Sequence, residues 1–275
     1  MRNIFNYVER SSPIHRLTGA TKLICLLLWS FAAMTSYDTR LLAALTILSV
    51  PLFAVSRIRY SDVSFMLGFT LVFMVLNNVL VFAFAPQHGV SIYGTCHVLA
   101  DLGGRWLITK EQLFYHFNLV LKYLSTIPIV LLFVCTTQPS EFAASLNRIG
   151  VKYTVAYSVA LALRYIPDIQ REYHEISQAQ QARGIEMSKK QRLSKRLRSA
   201  SAILIPLILS SMDRIEIISN AMELRGFGKH KKRSWYMARP FRAADFLSMA
   251  FCALLLAAAL ILNHLNRGRF WNPFT

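Results

Sequence analysis

Arg183 and Arg225 hold the same place in two copies of one short signature. Residues 176–185 read ISQAQQARGI and residues 218–227 read ISNAMELRGF, 42 positions apart. Ahead of the first copy stands Pro167. A proline at a helix start and a glycine just past its end predict one helix from Pro167 to Gly184. Ile169, Tyr173, Ile176, Gln180 and Arg183 step by four, three, four and three, so they share a face. Ile215, Ile218, Met222 and Arg225 do the same in the second copy. Each helix therefore carries an apolar stripe ending in one arginine, in the last turn, where the helix dipole favours a cation. Gly184 and Gly226 suit the left-handed conformation that closes such an end. A guanidinium there offers a planar five-donor fork to carboxylates and to C-terminal carbonyls of another protein. A single Arg-Gly end is an ordinary helix cap. Two that also share their upstream Ile-Ser-amide-Ala point to a paired docking device.

Other chemistries find no support in the sequence. Residues 226–233, GFGKHKKR, resemble the end of a phosphate loop, but Glu223 stands where the first glycine belongs and His230 where Ser or Thr must follow the lysine. Any use of ATP then belongs to a partner. No Ser/His/Asp set or paired carboxylates sit in the apolar segments, and the seven histidines do not cluster, so neither a catalytic nor a metal site is expected. Cys25, Cys96, Cys135 and Cys252 lack metal or redox spacing and read as reduced thiols among helices. The basic runs 189–198 and 229–233 suit anionic lipid headgroups better than nucleic acid, given the apolar segments beside them.

The elements that position the arginines belong to a membrane protein. Of 275 residues 54% are hydrophobic, yet the formal charge is +17, a combination typical of membrane proteins with cationic loops on one side. The polar, basic lead at residues 1–22 does not read as a cleaved signal peptide. Residues 23–37 and 41–56 are apolar runs slightly short of a full crossing, suited to the arms of a tight hairpin. Residues 63–85, 119–137 and 246–262 supply three more spans. Lys122 is expected near the outer end of the fourth, snorkelling to the interface. Asn77 and Asn78 read as amides bonding across helices, and Asp62 and Asp245 as N-terminal caps. A Gly- and His-bearing polar loop occupies residues 86–111. Residues 138–242 hold 19 of the 31 Lys and Arg against 8 acids. The apolar stretches 154–163 and 201–212 within them read as separate helices at the interface or under the spans. Placing Arg2, Arg10, Arg16 and Lys22, then Arg57 and Arg59, then the basic insert on one side puts the N-terminus and the insert in the cytoplasm and the C-terminus outside. Three regions follow: 1–137 with four spans, 138–244 as the insert, and 245–275 with the last span and tail.

These residues resemble the transmembrane T component of energy-coupling factor (ECF) transporters, a branch of ABC importers. SPIHRLTGATKL at 12–23 is similar to the family's opening. The block from 136 to 184, with its Arg-Tyr-Ile-Pro step at Arg164 to Pro167, is similar to its centre, and AMELRGFG to its second signature. The resemblance covers nearly the whole chain, and the ordered pair of Arg-Gly signatures is its most specific part. It implies an all-α membrane protein of about five transmembrane helices plus a cytoplasmic helical coupling domain with two long coupling helices, in a bacterial cell membrane. It gives Arg183 and Arg225 seats in grooves on two ABC ATPase subunits, one each, with Ala182, Gly184 and Gly226 shaping the helix ends. Leu224 departs from the commoner alanine. ATP and magnesium would be bound by those partners, and a vitamin or transition metal by a separate small membrane S component. The chain itself would be a non-catalytic scaffold. A conventional ABC permease would dock through one coupling loop per subunit, against the doubled signature. An enzyme acting on lipid-linked substrates would need the catalytic cluster that is missing.

Overall fold

The computed structural model describes residues 12–101, 103, 106–185, 193–230, 234, 235, 239–266, 268 and 270–274. The chain divides into two units, residues 1–138 with 239–275, and residues 139–238.

The first unit contains α1 (Pro13–Arg16), α2 (Gly19–Thr35), α3 (Thr39–Val55), α4 (Tyr60–Phe84), α5 (His88–Tyr93), β1 (Val98–Asp101), β2 (Leu107–Thr109) and α6 (Lys110–Thr136). The second contains α7 (Pro139–Arg148), α8 (Tyr153–Ala182) and α9 (Leu193–Leu224). The chain then returns to the first unit as α10 (Ala243–Leu265). Among the described residues, Val63–Phe84, Lys110–Thr136 and Ala243–Leu265 are long and apolar enough to cross a membrane. At 17 residues each, α2 and α3 reach about 25 Å at 1.5 Å per residue, just short of a hydrocarbon layer of about 30 Å. They form the anticipated hairpin. The molecule is an all-α membrane protein; among the described residues the strands form one two-stranded antiparallel hairpin. That hairpin and α5 occupy the stretch expected to be a loop.

Side-chain caps set the helix ends. Thr18 opens α2, Asp38 opens α3 and Thr109 opens α6, each accepting from a first-turn N–H. The core where α2, α3, α6 and α10 meet is built on Trp29, Ala32, Ala33, Leu42, Leu45 and Ala259, all essentially buried. The alanines let backbones approach, as membrane helices require. Trp29 donates its indole N–H to Ser125 O at 3.0 Å. Gly89 is obligatory: a Cβ there would lie 2.6 Å from the backbone of Glu111 and Gln112, while its N–H donates to Gln112 Oε1 at 2.7 Å.

One sequence expectation changes here. Lys122 does not snorkel. It is buried in mid-α6, donates to Met34 O at 3.0 Å, and lies 3.3 Å from the centroid of the Tyr37 ring. Met34 is in the last turn of α2, whose carbonyls lack intrahelical partners and form the negative end of the dipole, so the ammonium caps that helix and rests on an aromatic face. Asp62 lies inside the first turn of α4, and the side chain its capping role was expected to use lies outside what is described. The capping expectation for Asp245 holds: third residue of α10, it closes a capping box on the Arg242 N–H. Buried, it accepts from Arg242 N at 2.8 Å, Thr18 N at 2.9 Å and Thr21 Oγ1 at 2.8 Å, tying the starts of α10 and α2 together. The cross-helix expectation for Asn78 holds: its Oδ1 meets His116 Nδ1 at 2.9 Å. Because an amide oxygen only accepts, His116 carries its proton on Nδ1. Nε2 then accepts from Gln112 at 3.1 Å.

Candidate functional site

Both arginines sit at helix ends of one construction. α8 ends at Ala182, Arg183 is the capping residue, and Gly184 follows at φ 84°. The Gly184 N–H donates to Gln181 O at 2.9 Å and the Ile185 N–H to Gln180 O at 3.0 Å. α9 ends at Leu224, and Gly226 follows Arg225 at φ 65°. There the Gly226 N–H donates to Glu223 O at 2.8 Å and the Phe227 N–H to Met222 O at 2.9 Å. This paired closure, with its left-handed residue, satisfies carbonyls the helix leaves orphaned. Arg183 and Arg225 therefore leave the same position of the same turn, and both are exposed. So are Ala182 and Leu224, the latter at 90%.

The helices behind these ends are longer than their signatures. Pro167 lies inside α8 and does not start it, and Pro206 lies inside α9. The apolar stretches 154–163 and 201–212, expected as separate helices, are parts of the same two rods. A proline removes one helical N–H and crowds the carbonyl four residues back. For Pro206 that carbonyl is Ala202 O, and Gln180 Nε2 donates to it at 3.2 Å. The signature's own glutamine thus satisfies the acceptor that Pro206 frees, and pins the end of α8 onto α9.

Further ties fix the pair. Glu172 accepts from Arg214 at 2.8 Å and from the Ser210 hydroxyl. At the other end the Phe227 ring packs 4.9 Å from Tyr157 and 5.5 Å from Tyr153, and the Gly228 N–H donates to the Tyr153 hydroxyl at 2.6 Å. These contacts run antiparallel: the end of α9 lies at the start of α8, and the end of α8 beside the first half of α9. The two arginines therefore stand at opposite ends of the pair, about 45 Å apart if α8 is straight at 1.5 Å per residue. Ile169, Ile215, Ile218 and Met222 of the two stripes line a groove of about 770 Å³ between the helices. Sequence reasoning missed Glu172, Ser210, Arg214 and the Tyr153–Phe227 clamp. Nothing in the spacing of those residues marks them, because each pair meets only through the antiparallel fold. Of the basic runs 189–198 and 229–233, expected to meet lipid, residues 189–192 and 231–233 lie outside the described residues.

The profile of one family, CbiQ, described as a cobalt transport protein, matches residues 10–236. The chain belongs to that family. Curated relatives carry the name energy-coupling factor transporter transmembrane protein EcfT. The protein of Bacillus selenitireducens is 28% identical over 265 residues, covering 94% of this chain and 95% of its own. That of Streptococcus thermophilus is 26% identical, covering 96% and 98%. That of Bacillus subtilis is 25% identical, covering 94% and 96%. The chain is thus a transmembrane T component of the energy-coupling factor type, and its twin helix ends are a feature of a transporter subunit.

Proposed function

We propose that this T component couples ATP hydrolysis by two partner ATPases to substrate uptake. Arg183 and Arg225 each seat in an acidic or carbonyl-rich groove of one ATPase subunit. The partners hold ATP and magnesium; a separate small S component in the membrane captures the substrate, a vitamin or a transition metal. In this reading the chain is multi-pass in the bacterial cell membrane, with its N-terminus and the α7–α9 unit in the cytoplasm, and it performs no chemistry itself.

The observation that supports this best is the identity of the two helix ends. Two arginines presented by the same closure, on rods clamped together by Glu172–Arg214 and Gln180–Ala202, suit two like receptors moving as a dimer. A rigid pair passes motion at one end to the other, which a pair of floppy loops would not. The test is ATP-driven uptake by cells carrying Arg183→Glu together with Arg225→Glu. Charge reversal at both seats is expected to abolish uptake and assembly with the ATPases while leaving the chain in the membrane. Normal uptake by the double variant would remove the basis of the proposal.

A further inference from the structure

The first unit carries an apolar groove with a basic rim that the coupling function does not use. α3 presents Leu48, Leu52 and Val55 along one side, and α10 presents Ala244, Ser248 and Phe251 along the other. Both sets step by four and three, so two matching helical stripes run antiparallel for about 10 Å at 1.5 Å per residue. Ile14 and Leu17 close the end where Val55 and Ala244 meet. The groove holds about 430 Å³ and continues into a deeper cleft of about 510 Å³ that shares Ile14, Leu17, Leu52, Ser248 and Phe251 and reaches Trp29.

Three exposed arginines flank the residues at the Val55–Ala244 end in sequence. Arg57 follows Val55 by two residues, Arg242 precedes Ala244 by two, and Arg16 adjoins Leu17. Arg239 is held beside them through its bond to His15 O at 3.4 Å. Asp245, three residues past Arg242, is buried and turned inward onto Thr18, Thr21 and the Arg242 N–H.

We propose that this groove is a binding site for one anionic phospholipid. An acyl chain lies between α3 and α10 and reaches toward Trp29, while the phosphate headgroup sits among Arg16, Arg57 and Arg242. A cleft in the hydrocarbon layer has no water to fill it, and a void forfeits the dispersion contacts of its whole lining. Guanidinium forks match phosphate geometry and favour anionic over zwitterionic headgroups. The stripe and the rim thus select the two ends of the same molecule.

The full chain with Trp29 as its sole tryptophan (Trp106→Phe, Trp235→Phe, Trp271→Phe) tests this in phosphatidylcholine vesicles. One set contains phosphatidylglycerol brominated in its acyl chains, the other phosphatidylcholine brominated to the same extent. Bromine quenches indole fluorescence on contact, so brominated phosphatidylglycerol is expected to quench Trp29 more strongly. The preference should fall on the order of fivefold per rim arginine removed, in Arg16→Gln and Arg242→Gln. Ser248→Phe, which fills the groove and leaves the rim intact, should abolish quenching. If these variants fail to fold, the comparison of the two lipids on the parent chain still decides. Equal quenching by both lipids overturns the proposal, because the groove then takes bulk lipid. Quenching by neither overturns it too, the result expected if a partner's helix occupies the groove.

Discussion

Gly184 and Gly226 are the residues whose conformation the two helix ends most depend on. Both lie in the left-handed region, which a Cβ disfavours, so Gly184→Ala or Gly226→Ala should cost about 1 kcal/mol of local stability. Nothing but Lys229, 4.0 Å away at Gly226, crowds a Cβ at either site, so the loss is conformational and asparagine should restore much of it. Circular dichroism melts of the parent and the two variants at each glycine check this; alanine as stable as glycine would contradict the closure described. Lys122 allows a second residue-scale test. Lys122→Met leaves Met34 O without its ammonium donor and Tyr37 without its cation, and should cost roughly 1–3 kcal/mol. An unchanged thermal midpoint in detergent would contradict the capping role. The two helix ends were legible because Arg-Gly after a periodic stripe has one local meaning. Lys122 was not. The apolar run seemed to place it near a span's end, but Thr109 starts α6 nine residues before that run, and only the fold brings α2's last turn beside it.

At the scale of elements, each proline changed how the chain reads. Taken as helix starts or interruptions, Pro167 and Pro206 divided two long helices into four pieces. A proline's local cost is real, but cross-helix partners can satisfy what it frees, as Gln180 does for Ala202. That pairing predicts non-additivity. Gln180→Leu should destabilise the α8–α9 pair by about 1 kcal/mol, and by less in a Pro206→Ala background, where residue 206 donates to Ala202 itself. A double-mutant cycle on unfolding free energies measures it, and strict additivity would rule the mechanism out. The same experiment on Glu172 and Arg214, both only partly exposed, should return a favourable coupling between 0.5 and 3 kcal/mol, at the low end because solvent reaches the arginine. The spans themselves were legible from hydropathy alone, and all five appear as helices. The cap at Asp245 was legible too, but not its second role: it also tethers α2 to α10 because Thr18 and Thr21 face it, a fact of packing that no local pattern announces.

Over the whole molecule, the proposed coupling needs one chain to present two equivalent arginine ends to two receptors. The resemblance to the family was read from the repeat in this chain, and relatives at 25–28% identity span nearly the full chain. The most direct measurement places a photoreactive residue at Ala182 and another at Leu224, the exposed neighbours of the two arginines, in chains expressed with their native partners. Each position alone is predicted to cross-link an ATP-binding subunit, and both together to yield one chain carrying two such subunits. Cross-links to lipid only, or no product above one ATPase per chain when both positions react, would contradict the account.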